Sequence, residues 1–261
     1  MTHLLFDADT LVYRYSAGNE RQISWTDEDV SHFADPDTAA FQLDSYVAGL
    51  SEKFSARPVM CLSDPTDNWR FDLLPSYKLN RADFIRPMAW HFLREHIRRT
   101  YKTYEKPRLE GDDVLGILMT SKRIIKGDKV CVSIDKDLKT IPGRHFNPDK
   151  RSIFKITDEE ALYNHLFQTL VGDRVDNYKG CPGIGAKRAQ GLLQGAKAEG
   201  GPLWYSLAWE WVVEAFERKE LTIEDALVQA RVSRIMHAED YQDGEIRYWQ
   251  PPLIGERNGS G

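Results

Sequence analysis

The sequence predicts an α/β fold, in which a central, mostly parallel and twisted sheet is flanked by helices and a helical C-terminal region follows. Three observations predict it. Up to Thr157, short apolar segments alternate with segments of helical periodicity, as in parallel sheets that helices cover on both faces. The short segments are largely apolar, which is typical of strands buried on both sides. Beyond Thr157 the periodicity is mainly helical.

Three of the strand candidates end in an acid. They are HLLFD (3–7), PVMCLSD (58–64) and KVCVSID (129–135), and SIFKIT (152–157) is a further candidate. Helical periodicity covers 38–54, 87–104 and 112–125, between the strands. A parallel sheet with helical crossovers follows from this alternation.

The last third of the chain is predicted to be mainly helical. Thr157 and Glu160 form a T-x-x-E capping box, which predicts that a helix begins there. The segments 202–220 and 223–240 also have helical periodicity. The glycine-rich stretch GAKAEGGP is predicted to be a loop at 195–202, and ERNGSG is predicted to be disordered at 256–261.

Composition limits the class of protein. The chain has 261 residues, of which 41% are hydrophobic and 29% charged, a balance typical of soluble globular proteins. No apolar run approaches the roughly 18 residues of a membrane helix, and we expect no signal peptide. The three cysteines have no C-x-x-C spacing, which indicates neither a zinc site nor a disulfide framework and fits a reducing cytoplasm. Cys61 and Cys131 are expected in the core.

Acidic residues accumulate where ligands bind to parallel sheets, beyond the carboxyl ends of the strands. Single acids in such places are often turn or helix-cap residues, so that alternative stays open for each. Their coincidence at several strand ends favours one common site. The acids are Asp7, Asp9, Asp64, Asp135 and Asp137 after strands, Glu110, Asp112 and Asp113 in LEGDDVLG, and Asp173 and Asp176 in GDRVD.

Carboxylates that gather in one place need a counter-ion, because like charges raise the free energy of the ionised forms. Hard divalent cations such as Mg²⁺ prefer oxygen ligands, whereas seven scattered histidines without metal spacing argue against zinc. So many acids suit a two-metal site that holds a phosphate and activates water. Setting aside nine of them, all but Asp9, changes the formal net charge from −5 to +4, so the acidic composition does not exclude a nucleic-acid partner.

Basic residues follow the second acid-tipped strand in NWRFDLLPSYKLNR (68–81). Lys78 and Arg81 are three residues apart, on one face if the segment is helical, and Arg70 and Tyr77 flank them. A solvated helix face is the plain alternative. The cations and aromatic residues of 86–108 suit nucleic-acid contact, and an amphipathic helix explains them equally well.

The segment GDRVDNYKGCPGIGAKRA (172–189) places a glycine turn after two carboxylates. It is neither a Walker A loop nor a dinucleotide fingerprint, because the required Ser or Thr and the third glycine are missing. A G-I-G turn between helices lets a phosphate backbone approach amide groups. An ordinary tight turn is the alternative.

Taken together, these segments resemble the flap-endonuclease family of 5′-nucleases, and phage 5′→3′ exonucleases in particular. The resemblance runs from LLFDADTLVYR to IRYWQPP and is carried by DPTDNWRFDLLPSYKLNR, LEGDDVLG, SIDKDLKTIPG and GDRVDNYKGCPGIGAKRA, in family order. It implies a PIN/5′-nuclease-like core over 1–171 with a short helical arch around 77–106. It also implies a DNA-binding helix–three-turn–helix within a C-terminal region, 172–261.

The resemblance also implies roles for residues. Two or more Mg²⁺ or Mn²⁺ ions would be held by Asp7, Asp64, Glu110, Asp112, Asp113, Asp135, Asp137, Asp173 and Asp176. The catalytic cations would be Lys78, Arg81 and Arg70, of which the first two would contact the scissile phosphate. Substrate would be bound by Tyr77, Gly183, Gly185, Lys187 and Arg188, with K⁺ at the helix–three-turn–helix. Asp9 follows Asp7-Ala8 where relatives often carry D-G, and it is assigned no metal.

The implied activity is metal-dependent 5′→3′ hydrolysis of DNA, with structure-specific 5′-flap endonuclease and RNase H-like activity in phage DNA replication or recombination. The implied substrates are duplex DNA with 5′ ends or flaps and RNA–DNA hybrid, and the protein would be a monomer in the host cytoplasm, with no membrane partner. A PIN-like ribonuclease and a catalytically inactive DNA-binding module remain alternatives. The duplex-gripping turn argues against the first, and the complete set of acids against the second.

Overall fold

The structure, a computed structural model, describes residues 1–26, 29–81 and 84–252. Its strands are β1 (Thr2–Asp7), β2 (Glu20–Ser24), β3 (Val30–Ala34), β4 (Ala56–Leu62), β5 (Thr103–Glu105), β6 (Asp128–Val132), β7 (Gly143–Asn147), β8 (Ser152–Ile156), β9 (Tyr241–Gln242) and β10 (Glu245–Ile246). Its helices are α1 (Ala8–Gly18), α2 (Pro36–Lys53), α3 (Arg70–Leu73), α4 (Trp90–Thr100), α5 (Gly111–Thr120), α6 (Asp158–Val171), α7 (Ala186–Gly200), α8 (Trp204–Glu217) and α9 (Ile223–Ser233). No helix of the described residues is long and apolar enough to cross a membrane.

Six strands form the central sheet in the order β5-β4-β1-β6-β7-β8. The first five run parallel, and β8 pairs antiparallel with β7. The predicted α/β fold with a mostly parallel sheet is therefore confirmed. Because β4, β1 and β6 are parallel neighbours, the acids that follow each of them meet at one edge of the sheet.

Both faces of the sheet are buried, as the apolar strands require. Successive side chains of a strand point to opposite faces, so Leu4 and Phe6 pack with α1, α2 and α4, whereas Leu5 packs with α5. Cys61 and Cys131 are buried on the α5 face, which confirms their predicted place in the core.

Helix ends follow the local sequence in some places and depart from it in others. At Thr157 the capping box is present, because Thr157 Oγ1 accepts from the Glu160 amide at 3.1 Å and Glu160 accepts from the Thr157 amide at 2.8 Å. The predicted loop at 195–202 is wrong, since α7 continues to Gly200. At Gly195 a Cβ would lie 2.7 Å from the Trp211 ring, so this glycine permits close helix packing and marks no turn.

The short helical arch predicted around 77–106 stays a prediction. Within the described residues, this segment has a single 3₁₀ turn at Leu79–Arg81 before α4. Helix α4 buries Leu93 and Ile97 completely against the sheet, so it is part of the core. The predicted disorder of 256–261 falls outside the described residues.

The predicted division at residue 171 does not separate two hydrophobic cores. Helix α6 lies before it, yet Leu166 and Leu170 pack with α7, α8 and α9. Conversely, Ile235 and Met236 pack with the sheet and α5. The helices α6 to α9 therefore share a second hydrophobic core. The residues that follow α9 pack into the first core, with the sheet and α5.

His165 makes the stability of the fold depend on pH. Its ring is fully buried between α6 and α9, and Nε2–H donates to the Ala230 carbonyl at 2.7 Å. Burial lowers its pKa from 6.5 to about 3. Below pH 6.5 the unfolded chain therefore binds a proton that the folded chain does not. The stabilisation is complete above this value and is lost, by roughly 1.4 kcal/mol per pH unit, as the pH falls towards 3.

We therefore expect the melting temperature to fall more steeply with decreasing pH in the wild-type protein than in His165→Gln. Scanning calorimetry between pH 7 and about pH 4 measures the two slopes. Equal slopes would show that the histidine does not contribute.

Candidate metal centre and nucleic-acid interface

The acid-tipped strand ends open into a cavity of 630 Å³. Eight of the nine predicted ligands line it, namely Asp7, Asp64, Glu110, Asp112, Asp135, Asp137, Asp173 and Asp176. Lys78 and Arg81 lie on its wall as well. The sheet, the start of α5 and the segment after α6 thus bring together residues that are far apart in the chain.

In one part of the cavity, three acids have no cation close enough to form an ion pair among the described residues. Among the described residues, Asp7, Asp112 and Asp135 have no Lys, Arg or His partner within salt-bridge distance. Burial, and next the charge of Asp9, raise the pKa of Asp7 to about 6. Burial and the charges of Asp7 and Asp135 raise the pKa of Asp112 well above its ordinary value. These carboxylates lack the positive charge that would keep them ionised at low cost.

A second part of the cavity is formed by Asp137, Asp173 and Asp176. Lys136 Nζ lies 3.4 Å from Asp137 and 3.3 Å from Asp173, and Arg81 donates to Asp176 at 2.7 Å. Burial, and next the charge of Asp135, raise the pKa of Asp137 to about 6. The protein's own cations therefore offset only part of the charge.

Glu110 connects the two parts. Although burial opposes it, the charges of Lys78 and Arg70 lower the pKa of Glu110 to about 2. Lys78 forms an ion pair with Glu110 and lies 3.7 Å from Asp176. The Tyr77 hydroxyl lies 3.0 Å from Glu110 and 3.1 Å from Asp176. Glu110 thus remains ionised between the two groups of acids.

Asp64 is fixed by the turn that follows β4. One carboxylate oxygen accepts from the Thr66 amide at 2.8 Å and from the Thr66 hydroxyl at 2.6 Å, and the other accepts from the Arg108 amide at 2.8 Å. The side chain still borders the cavity. Its role as a ligand stays a prediction.

The structure contradicts the predicted role of Asp113. This side chain is fully buried and accepts from both terminal nitrogens of Arg70, the Trp69 indole, and the amides of Met236 and Glu110. With both oxygens occupied by protein donors, Asp113 does not face the cavity. The prediction that it ligates a metal is wrong.

The predicted catalytic role of Arg70 stays a prediction, because Arg70 lines the cavity but its guanidinium is held by the protein. Its side chain is 3% exposed. Besides Asp113, it donates to Glu110 at 3.0 Å, to the Val232 carbonyl at 2.9 Å and to the Arg234 carbonyl at 2.7 Å. These contacts use all five N–H groups, so none is left for a phosphate.

The predicted substrate-binding role of Tyr77 also stays a prediction. Tyr77 is 3% exposed, and its ring packs with Tyr178 and Val232. Its hydroxyl, as described, lies between two carboxylates. Tyr77 therefore lines the cavity and contacts two of its acids through the hydroxyl.

The donor set fits hard divalent cations. It consists of carboxylate oxygens on a concave surface, and part of it has no positive partner among the described residues. Within residues 1–26, 29–81 and 84–252, no three acidic, histidine or cysteine side chains already converge as a complete set of ligands. The fit therefore rests on the chemistry and charge of the cavity.

The predicted phosphate-binding turn lies beside this cavity. Gly183 and Gly185 line a recess of 780 Å³ that shares Lys136 and Asp173 with the acid-lined cavity. Lys187 is exposed, and Arg188 donates to the Gly183 carbonyl at 2.7 Å. Gly183 has a φ of 76°, whereas Gly185 is extended and begins α7 as its N-cap. Contact of these four residues with a substrate stays a prediction.

Sequence reasoning missed Arg94, which borders the cavity and is almost completely buried. It binds Asp9 at 2.6 Å, the acid to which the sequence assigned no metal. An arginine within an amphipathic helical pattern gave no signal that its side chain turns inwards.

The chain is similar to known proteins along most of its length. No family model matches the chain. The exodeoxyribonuclease of Enterobacteria phage T3 is 28% identical over 279 residues, which cover 95% of this chain and 92% of the relative. The exonuclease of Escherichia phage T7 is 27% identical and covers 95% and 93%. Flap endonuclease Xni of Shewanella oneidensis is 29% identical over 138 residues, or 49% of this chain and 53% of the relative.

Solved structures share the fold. The T5 D15 protein, co-crystallised with metal ions, has a TM-score of 0.64 at 17% identity and covers 88% of this chain and 90% of its own. The T5 D15 flap endonuclease, in a complex with DNA and metal ions, has a TM-score of 0.61 at 18% identity and covers 88% and 89%. These solved structures show that the chain has the fold of the T5 proteins. The phage relatives, which match nearly its whole length, support a phage-like 5′-nuclease family.

Proposed function

We propose that this protein is a metal-dependent 5′→3′ exonuclease that hydrolyses DNA phosphodiester bonds and also cuts 5′ flaps. The observation that carries the proposal is the cavity, where eight predicted metal ligands meet Lys78 and Arg81. The phage relatives named as exonucleases, which match nearly the whole chain, support it.

The carboxylates would hold Mg²⁺ or Mn²⁺, which when bound supplies an activated water and neutralises phosphate charge. Asp7, Asp112 and Asp135 would form one group of ligands, and Asp137, Asp173 and Asp176 the other. Glu110 and Asp64 border them. The partition follows the two groups of charges described above.

Lys78 and Arg81 would stabilise charge on the reacting phosphate. Both line the cavity, and Lys78 is held there by Glu110 and Asp176. Preorganised cations of this kind act mainly on the transition state, where negative charge on the phosphate oxygens is largest.

The turn at Gly183 and Gly185 would bind the backbone of duplex DNA, with Lys187 and Arg188 adding positive charge and K⁺ bound beside it. Amide groups at the N-terminus of α7 suit a phosphate. We extend the proposal to RNA–DNA hybrid as a substrate, a monomeric state, and a role in phage DNA replication or recombination in the host cytoplasm.

One experiment tests the proposal. The protein is incubated in Mg²⁺ with 5′-labelled duplex DNA, a 5′-flap duplex, an RNA–DNA hybrid and single-stranded RNA, and the products are sized. We expect short products from the 5′ end of the duplex and release of the flap. Cleavage of the single-stranded RNA alone would indicate a PIN-like ribonuclease, and binding without cleavage an inactive DNA-binding module.

Gly185→Val is expected to weaken duplex binding and leave the fold intact. Gly185 has an extended backbone, and a Cβ there meets open space among the described residues, so a branched side chain fits without strain. Strain belongs to Gly183, whose φ of 76° disfavours other residues. The valine would instead keep the phosphate backbone away from the turn.

Gly191→Val is the matched control, because its Cβ also meets open space but lies farther along α7. The dissociation constant of a 5′-flap duplex is measured in Ca²⁺ across a salt series. For Gly185→Val alone we expect a higher value and a shallower salt dependence, since fewer phosphate contacts release fewer counter-ions. If a folded Gly185→Val protein bound the duplex with wild-type affinity and wild-type salt dependence, the turn at Gly183 and Gly185 would be an ordinary turn without a role in DNA binding.

A further inference from the structure

A buried arginine joins the segments that carry the acids. Arg94 extends from α4, and its side chain is 2% exposed. It donates to Asp9 at 2.6 Å, to the Ser63 carbonyl at 2.6 Å and to Glu105 at 2.8 Å. These partners belong to α1, to the residue after β4 and to β5, so a single guanidinium contacts three segments at the edge of the sheet.

Asp9 continues the network with its second oxygen. This oxygen accepts from the Ser63 amide at 2.8 Å and from the Ser63 hydroxyl at 2.6 Å. The Ser63 hydroxyl oxygen in turn accepts from the Gly111 amide at 2.7 Å. Arg94, Asp9, Ser63 and Gly111 thus form a continuous chain of hydrogen bonds.

Three members of this chain, all but Arg94, lie within two residues of acids of the metal centre. Asp9 lies two residues after Asp7, Ser63 directly precedes Asp64, and Gly111 separates Glu110 from Asp112. The backbone at three separate strand or helix ends is therefore fixed by one network. A shift of any member would change the distances between carboxylates that come from different segments.

The contact is too close for a side chain at position 111. A Cβ at Gly111 would lie 2.6 Å from an Asp9 carboxylate oxygen and 3.1 Å from the Cys61 carbonyl oxygen. The glycine in LEGDD therefore permits the approach of α5 to Asp9. Asp9 itself has one oxygen bound to Arg94 and the other bound twice to Ser63, so it is occupied by the protein although it borders the cavity.

We propose that Asp9 and Arg94 are positioning residues for the metal centre. They set the separation of Asp7, Asp64 and the pair Glu110 and Asp112, and they bind neither metal nor DNA themselves. The inference rests on the proposed function, because it takes these acids as ligands. Residues that orient metal ligands typically change metal affinity or activity by roughly 10- to 100-fold when they are replaced.

The test uses Asp9→Asn and, as a smaller change, Ser63→Ala, which removes the hydroxyl that links Asp9 to Gly111. Glu105→Gln is the matched control, because Glu105 also binds Arg94 but adjoins no acid of the centre. Calorimetric titration with Ca²⁺ gives metal affinity without turnover, and melting temperatures in EDTA give stability. Single-turnover cleavage of a 5′-flap duplex gives the rate and the half-saturating DNA concentration.

We expect Asp9→Asn and Ser63→Ala to bind Ca²⁺ at least about 10-fold more weakly and to cleave more slowly at unchanged half-saturating DNA. Glu105→Gln should retain wild-type Ca²⁺ affinity. Wild-type Ca²⁺ affinity in both test variants, with only the melting temperature lowered, would overturn the proposal in favour of a purely structural network. Loss of a whole Ca²⁺ equivalent in Asp9→Asn, with wild-type affinity in Ser63→Ala, would overturn it in favour of Asp9 as a ligand. Failure of the wild-type protein to bind Ca²⁺ or cleave DNA would instead refute the proposed function.

Discussion

Asp112→Asn is expected to reduce DNA cleavage by roughly 10³-fold or more while the protein remains folded. The proposed site depends on Asp112 for a charged oxygen, and several kcal/mol of transition-state stabilisation are lost when a metal ion is misplaced or absent. Asn keeps the size of the side chain but removes its charge. The loss should therefore appear in the chemical step and in Ca²⁺ binding.

The same substitution should not lower stability in metal-free buffer. Burial and the charges of Asp7 and Asp135 raise the pKa of Asp112, which means that its ionised form is unfavourable in the folded protein. Among the described residues, no cation lies within salt-bridge distance of it. Removing the charge relieves repulsion, so the melting temperature in EDTA should be unchanged or higher.

Single-turnover cleavage of a 5′-labelled flap duplex in Mg²⁺ measures the first effect, and differential scanning calorimetry in EDTA measures the second. Near wild-type cleavage would remove Asp112 from the metal centre. A large fall in melting temperature would show that its charge has a structural partner.

The elements that carry the site are those that the sequence predicts most clearly. β1, β4 and β6 are buried on both faces, so they are apolar throughout and end visibly at their acids. The hairpin of β2 and β3 was not predicted, because it is largely exposed and has no hydrophobic pattern to mark it. The sequence predicts a helix at α4, but it does not predict that Arg94 in this helix is buried.

Adjacent residues of the same type show where sequence reasoning stops. Asp112 and Asp113 follow one another at the start of α5, and successive helical residues point about 100° apart. One therefore faces the cavity and the other the interior, and composition cannot say which. Gly183 and Gly185 differ in the same way, because only the fold determines which of them has a positive φ.

The sequence also cannot show which cationic residues of one segment are engaged by the protein. Arg70, Lys78 and Arg81 lie in one basic segment, yet Arg70 is bound on all sides by protein acceptors. Its partners include the carbonyls of Val232 and Arg234, far along the chain. Only the tertiary structure shows that this arginine holds the C-terminal region against the metal centre.

Asp113→Asn should therefore have the opposite effect to Asp112→Asn, with a large loss of stability. The carboxylate is fully buried and binds Arg70 through both oxygens at 2.7 and 2.9 Å. Breaking a buried ion pair from one side costs about 3–5 kcal/mol, and here it leaves Arg70 with Glu110 as its remaining ionic partner in the described part of the chain. For a protein of this size, that corresponds to a fall in melting temperature on the order of 10 °C.

A double-mutant cycle identifies the cause of this loss. Once Asp113 is neutral, Arg70 keeps only Glu110 as an ionic partner among the residues that the structure describes. Arg70→Gln then removes a buried positive charge that has lost its main partner, so Asp113→Asn/Arg70→Gln should be less destabilised than the sum of the single variants, by about 1–3 kcal/mol. Urea unfolding in EDTA provides the free energies of all four proteins, and Asp112→Asn serves as the neighbouring control. Ca²⁺ titration at 15 °C, where we expect the Asp113→Asn protein to remain folded, separates stability from ligation. If Asp113→Asn kept wild-type stability but lost a Ca²⁺ ion, Asp113 would be a metal ligand after all, and the structural role that its contacts assign to it would be wrong.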